Sequence, residues 1–330
     1  MNVIDEYGSD PEAAIAQAAA RCSNWNRWGA DDALGTVNFL DDKVRAHAAT
    51  LVRKGATYSL SLPLDENGPQ NGWKRRVNPV HTMMSTGQDT AAQMGTPHGL
   101  TAADDAVYMP LQCGTQWDGL GHVFDHGIGW NGRRGAEIVT SEGDSATGIE
   151  NLAAPLVGRG VLLDVGRALA GETGELDDAY PITADDLRTT IERQGATSDV
   201  RRGDIVLVRT GQLSRVRRGM DHGEGWGTYA GGPAPGLSFG TADWLYGSEI
   251  AAIATDTWGF EVRPNEFPGS FQPLHQVALP HIGLLVGEMW DLDALAEDCA
   301  LDGTYEFLLA AQPLPFTGAV GSPVNPVAVK

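Results

Sequence analysis

Short apolar runs closed off by glycine set the architecture of this chain: Gly160-Val-Leu-Leu-Asp-Val, Ile205-Val-Leu-Val-Arg-Thr, and Glu249-Ile-Ala-Ala-Ile-Ala-Thr-Asp. Runs of this length bounded by turn residues are buried strands. Between the first two, Thr183-Ala-Asp-Asp-Leu opens a helix: Thr183 and Asp186 fit a capping box, and Leu187 and Ile191 fall one turn apart on one face. Helical propensity marks residues 11–21, and Asp41 to Lys54 forms a second helix, capped by Asp41 or Asp42 and ended by Gly55. A strand starts at Tyr58, a short helix spans Ala242 to Tyr246, Leu279 to Val286 is again apolar, Leu292 opens a helix, and Tyr305 to Leu309 adds a strand. The segment from Asp65 to Gly99 is long, polar and without regular structure, which marks a functional loop that shapes a pocket. The pattern gives an α/β or α+β fold without repeats. It reads as one domain over residues 1–330, with 1–56 as a helical N-terminal arm.

Charge limits the partners. The 330 residues carry 23 Lys+Arg against 43 Asp+Glu, a net charge of −20. Binding to nucleic acid or to anionic lipid needs a basic face, so neither is the expected partner. There is no apolar run long enough to span a bilayer, and the first residues are acidic where a secretory signal is basic, so the expected location is the cytoplasm. Three cysteines, Cys22, Cys113 and Cys299, without a C-x-x-C spacing, speak against a disulfide scaffold or a zinc knuckle. An enzyme, a small-molecule binder or an assembly subunit remains.

Two textual motifs lack their context. Gly127-Ile-Gly-Trp-Asn-Gly fits G-x-G-x-x-G but follows no strand, and Trp130 would crowd a pyrophosphate. Gly236-Leu-Ser-Phe-Gly fits a nucleophile elbow, yet the residues before it form no strand, so Ser238 reads as a turn or cap residue. The informative segment is Leu111-Gln-Cys-Gly-Thr-Gln-Trp-Asp-Gly-Leu-Gly-His, which spaces Gln112, Gln116, Asp118 and His122 by four, two and four. In an extended chain Gln116 and Asp118 share a face. A carboxylate near an imidazole suits a cation and an activated water, or simply a turn and a satisfied pair. Further on, Glu288 follows an apolar run that also holds His275 and His281; a buried carboxylate there needs a cation or donors, unless it caps the next helix. Cys113 is either a thiol activated by His122 or a small buried apolar residue.

Taken together, these clusters resemble the cyclase family of metal-dependent hydrolases, which includes kynurenine formamidase and isatin hydrolase. The resemblance runs from Asn26-Arg-Trp-Gly-Ala-Asp-Asp through the 111–123 segment and Asp256-Thr-Trp-Gly-Phe-Glu-Val to the His275–Leu295 block. It implies a swivelling β/β/α fold and a hallmark H-x-G-T-H-x-D-x-x-x-H, whose aspartate is Asp118 and whose last histidine, acting in proton transfer, is His122. The two metal histidines fall on Gln112 and Gln116, and the pair that completes the site matches His275 and Glu288. An amide oxygen is a poorer zinc ligand than imidazole, so the implied cofactor is a divalent metal, Mn, Zn or Mg, in an oxygen-rich cage, or none.

The resemblance implies hydrolysis of an amide, lactam or ester of a small cyclic or aromatic compound, with His122 as general base and acid and Trp117, Trp130 and Trp258 as an aromatic wall. It also implies a homo-dimer or tetramer. A metal-free member performing acid/base cyclisation or dehydration, or binding only, is the alternative. A negative exterior favours neutral or cationic substrates unless the pocket holds its own positive centre.

Overall fold

The computed structural model describes residues 3–89 and 97–330. Its strands of three or more residues, in chain order, are β1 (Thr57–Ser59), β2 (Val80–Ser85), β3 (Asp104–Tyr108), β4 (Gln116–Asp118), β5 (Val157–Asp164), β6 (Ile205–Arg209), β7 (Ala252–Thr255), β8 (Leu285–Glu288), β9 (Glu306–Ala310), β10 (Gly321–Pro323) and β11 (Val327–Val329). Nine of them form one mixed sheet in the order β1-β11-β9-β5-β6-β7-β8-β4-β10. The central four, β5 to β8, are mutually parallel. Antiparallel strands flank them on both sides.

The glycine-bounded runs lie in the parallel centre. Successive residues there alternate between two apolar clusters: Val161, Leu163, Val206, Val208, Ile253 and Val286 pack on one face, and Leu162, Ile205, Leu207, Ala252, Ala254 and Leu285 on the other. Both faces are covered, which is why these strands read as continuous apolar runs. On the first face lie α1 (Val3–Tyr7) and α2 (Pro11–Arg21), through Val3, Tyr7, Ala14, Ile15 and Ala18, with Leu187 of the helix Ala184–Gln194. The second face is covered by Leu295, Ala296 and Cys299 of the helix Asp293–Asp302.

Local signals explain several helix starts. Asp10 caps Pro11–Arg21 with proline in the first turn, and the Thr183–Asp186 capping box forms reciprocally: Asp186 N–H donates to Thr183 Oγ1 at 3.2 Å, Thr183 N–H to Asp186 Oδ2 at 2.8 Å. The helix expected over 41–54 is shorter, Asp42–Ala49. Its continuation is drawn to the sheet edge, where the N–H groups of Lys54 and Gly55 donate to the carbonyl of Lys330. The Pro-rich tail, expected to hold one strand, supplies β10 and β11 as well. β10 is an edge strand, where Pro323 is tolerated.

The segment 65–99 is more ordered than expected. It contains a turn at Trp73–Arg75 and β2, which pairs with β3 as an exposed hairpin; the part over 90–96 lies outside the described residues. The irregular stretch after α2 is pinned to the core. Thr36 N–H donates to Gly283 O at 2.8 Å, and Gly35, at φ +56°, approaches so closely that a Cβ would come 2.1 Å from that carbonyl. Gly127–Gly132 is a loop without the strand-turn-helix context of a dinucleotide site.

One buried charge cluster braces the sheet. Arg159 of β5 is 1% exposed and pairs with Asp204 Oδ2 at 2.5 Å and Glu306 Oε2 at 2.8 Å. Among the described residues, no helix is long and apolar enough to cross a membrane.

Candidate active site

The site forms where the parallel centre of the sheet meets its antiparallel flank. β4 and β8 pair so that Glu288 faces Gln116 and Val286 faces Asp118. Alternation then puts Gln116, Asp118 and Glu288 on one face. Trp117 turns to the other, meeting Trp290 edge-on at 4.7 Å and donating from Nε1 to Ala311 O at 2.7 Å. Gly287 allows this contact, because a Cβ there would come 2.7 Å from Trp290 Nε1. Glu288 ends its strand and does not cap the following helix, which starts at Asp293.

His275 reaches the same point from a short helical turn, His275–Val277. Its Nε2 lies 3.2 Å from Glu288 Oε1, and its Nδ1 lies 2.5 Å from Glu261 Oε1. Asp118, His275 and Glu288 each offer a ligand atom, all within 4.8 Å of one another, and all three side chains are buried. Gln116 donates from Nε2 to Glu288 Oε2 at 2.9 Å and to Asp118 Oδ1 at 3.2 Å, while its buried Oε1 has no partner. His122 Nε2 stands 3.7 Å from Asp118 Oδ1, with a fifth of its side chain exposed.

The electrostatics follow from this crowding. Burial pushes the Asp118 carboxyl up, and the Glu288 charge adds to the push. Burial acts the same way on Glu288, but the hydrogen bond and charge of His275 hold it below the ordinary value. For His275 burial is again opposed, this time by hydrogen bonds to Glu261 and Glu288, which raise it to about 9. Its two ring nitrogens each face a carboxylate, so the imidazolium donates to both.

The three ligand atoms and the orphaned Gln116 oxygen suit a divalent cation. Two are carboxylate oxygens and one is an imidazole nitrogen, free to ligate once the imidazolium gives up its Nε2 proton, whose other nitrogen is oriented by Glu261, the arrangement that fixes a metal-ligating histidine. As placed, however, Gln116 presents its NH2 group to the carboxylates, and its oxygen would face a cation only after the amide turns over.

The structure brings Asp118, Gln116, His275, Glu288 and His122 together. Gln112 lies beside Gly321, opposite Asp118 on β10, with Nε2 2.7 Å from where a glycine Cβ would stand, and makes no hydrogen bond to the cluster. Trp130 is buried under the N-terminal segment, hydrogen-bonded to Asp32 O, and together with Trp117 is a fold contact and not a pocket wall. Trp258 is 2% exposed and packs edge-on against Trp73 at 5.3 Å. Ser238 caps a turn, accepting from Gly240 N–H and donating to Glu266. Cys113 is fully buried and burial raises its thiol to about 11, so it is a packed apolar residue. His281 bonds Asp125 and stacks on Trp25 at 5.1 Å, away from the cluster.

Glu261 was not singled out in the sequence. It accepts hydrogen bonds from the backbone N–H groups of Leu274 and His275 and from Asn265 as well as from the imidazole. Its one signal was an acidic residue between Phe260 and Val262, where a buried carboxylate needs donors.

The family model named Cyclase matches residues 58–262. Among solved structures, a protein described as a novel cyclase is 39% identical, with a TM-score of 0.82 over 94% of this chain and 100% of its own. Isatin hydrolase A from Ralstonia solanacearum is 16% identical, with a TM-score of 0.57 over 86% of this chain and 94% of its own. Isatin hydrolase A from Labrenzia aggregata, bound to benzyl benzoate, is 19% identical, with a TM-score of 0.56 over 88% and 98%. No curated protein matches the chain. The mixed α/β sheet that carries Asp118 and Glu288 on paired strands is the cyclase-like fold, and the chain belongs to the cyclase family.

Proposed function

We propose that the protein is a metal-dependent hydrolase that cleaves an amide, lactam or ester bond of a small cyclic or aromatic substrate. The observation that carries this reading is the convergence of Asp118, His275 and Glu288 within 4.8 Å, with Glu261 behind the imidazole. Isatin hydrolases sharing the fold support the choice of reaction class. Asp118, His275 and Glu288 would hold the cation, with Gln116 as an oxygen donor after its amide turns over. When bound, the cation supplies Lewis acidity toward the substrate carbonyl. His122, the partly exposed member, takes the proton of the attacking water at Nε2 and returns it to the leaving group.

A second reading, a metal-free member performing acid/base cyclisation or dehydration through His122 and Asp118, draws on the Gln116 amide nitrogen. It donates to both carboxylates, and the His275 imidazolium pairs with Glu288. Elemental analysis, then turnover of an amide, lactam and ester panel after chelation and metal add-back, separates the two. On the first reading Asp118→Asn loses its metal and His122→Ala lowers turnover by about 10² with the fold intact. Full turnover by protein without stoichiometric metal would sink it. The net charge of −20 supports a small-molecule ligand over nucleic acid, and exposed Met83, Met84, Val107 and Tyr108 of the β2–β3 hairpin support a homo-dimer or tetramer.

A further inference from the structure

Among the described residues, three cations stand beside the candidate site without a close carboxylate partner. In a chain with 43 acidic residues against 23 basic ones, Lys74, Arg76 and Arg263 form no ion pair within 4 Å, although buried Arg159 and Arg209 each pair with two carboxylates. What Lys74, Arg76 and Arg263 meet instead is aromatic. Lys74 Nζ lies 4.9 Å from the Trp73 ring and 4.8 Å from Phe271, Arg76 lies 5.6 Å from Trp258, and Arg263 lies 5.4 Å from Trp258 and 5.8 Å from Trp73. Arg263 Nη2 donates to Gly231 O at 2.5 Å, but its Nη1 is buried and has no hydrogen-bond partner. Burial pushes both Lys74 and Arg263 below their ordinary values, and for Lys74 the neighbouring Arg76 charge adds to this, although the carboxylates of the candidate site act in the opposite direction.

Of these groups Arg263, Trp73 and Phe271 line a cavity of about 780 Å³, together with Asn71, Ala230 and Gly231, and Lys74 stands at its edge against the Trp73 and Phe271 rings. That is ample for a bicyclic small molecule. Arg263 links the cavity to the Asp118–His275–Glu288 cluster: a Cβ built on Gly259 would lie 3.9 Å from Glu288 Oε1 and 4.0 Å from Arg263 Cδ. A ligand lying over Gly259 would reach both. Aromatic rings that bear cations but no anions offer a planar ligand a stacking surface and a charge to pair with. A guanidinium with a free N–H matches a carboxylate better than it matches a neutral carbonyl.

We propose that Arg263, assisted by Lys74, forms an anion subsite that binds the carboxylate of a planar substrate and so directs the rest of it toward Asp118, His275 and Glu288. This rests on the hydrolase reading for the word substrate, but the subsite is a binding claim that can be tested without turnover. The pocket then carries the positive centre that the acidic exterior lacks, and it does so with the chain's own side chains.

The test is binding of benzoate and of benzamide, its neutral isostere, to full-length protein held in EDTA, read by calorimetry and by quenching of tryptophan fluorescence. Benzoate is expected to bind at least about tenfold more tightly than benzamide, and that preference should shrink as NaCl rises. Arg263→Gln should abolish the preference while leaving benzamide affinity within about twofold. Lys74→Gln, outside the packed core, should reduce the preference and guards against a folding defect in the Arg263 variant. Equal affinities in the wild type, or a preference untouched by both substitutions, overturns the subsite. Because EDTA removes any metal and nothing is hydrolysed, a protein that prefers benzoate yet cleaves no ester or amide would refute the hydrolase reading and leave the subsite standing.

Discussion

Replacing Gln116 by histidine is the substitution that most directly questions the site. In the wild type, Nε2 donates to Glu288 at 2.9 Å and to Asp118 at 3.2 Å, and Oε1 has no partner. To offer that oxygen to a cation, the amide must turn over and give up both bonds. A hydrogen bond to a charged group contributes about 1.5–3 kcal/mol, so the turn costs about 3–6 kcal/mol. At about 1.4 kcal/mol per decade this weakens cation binding by about 10²–10⁴ relative to a residue poised to ligate. An imidazole at 116 needs no such turn and is the ligand zinc prefers. Gln116→His should therefore tighten zinc binding by at least about 10², measured by competition with a chromophoric chelator on metal-free protein. Manganese and magnesium, which favour oxygen, should gain less. An unchanged thermal midpoint in EDTA would establish that the fold is kept. If wild type and variant hold zinc with the same Kd, the orientation of the Gln116 amide does not limit metal binding and the reasoning fails.

Arg159→Ala should destabilise the protein by about 3–5 kcal/mol in urea titrations, because it leaves Asp204 and Glu306 without their buried cation; a loss below about 1 kcal/mol would mean that water reaches the cluster. The metal-free protein should lose stability as pH rises. His275, raised from 6.5 to about 9 in the folded chain, contributes stability that is complete below 6.5 and gone above 9, about 3 kcal/mol in all. A urea midpoint in EDTA that stays flat from pH 6.5 to 9.5, or that falls equally in His275→Gln, would contradict this.

The parallel centre of the sheet was legible because burial on both faces leaves no alternation to confuse with a helix, and the Thr183 capping box because its signal spans four residues. The spacing of Gln116 and Asp118 was legible too, since a strand repeats every two residues. Their pairing with Glu288 was not, because the register of β4 against β8 joins residues 172 apart in the chain. Neither Glu261 nor Arg263 announced itself: what singles them out is who their neighbours are, and for Arg263 which neighbours it lacks. Trp117 and Trp130 are placed away from the cluster for different reasons: Trp117 sits between Gln116 and Asp118 on a strand and so points to the opposite face, and Trp130 lies in a turn tied to Asp32.

The Gln116 amide also bears on how a lineage could move between chemistries. Its nitrogen donates to two neighbouring carboxylates that would otherwise repel each other, so each has a hydrogen-bond donor before any ion arrives. Glutamine and histidine codons differ only at the third base. Position 116 is thus a place where a single-nucleotide change can add or withdraw a strong metal ligand while the surrounding carboxylates keep a donor.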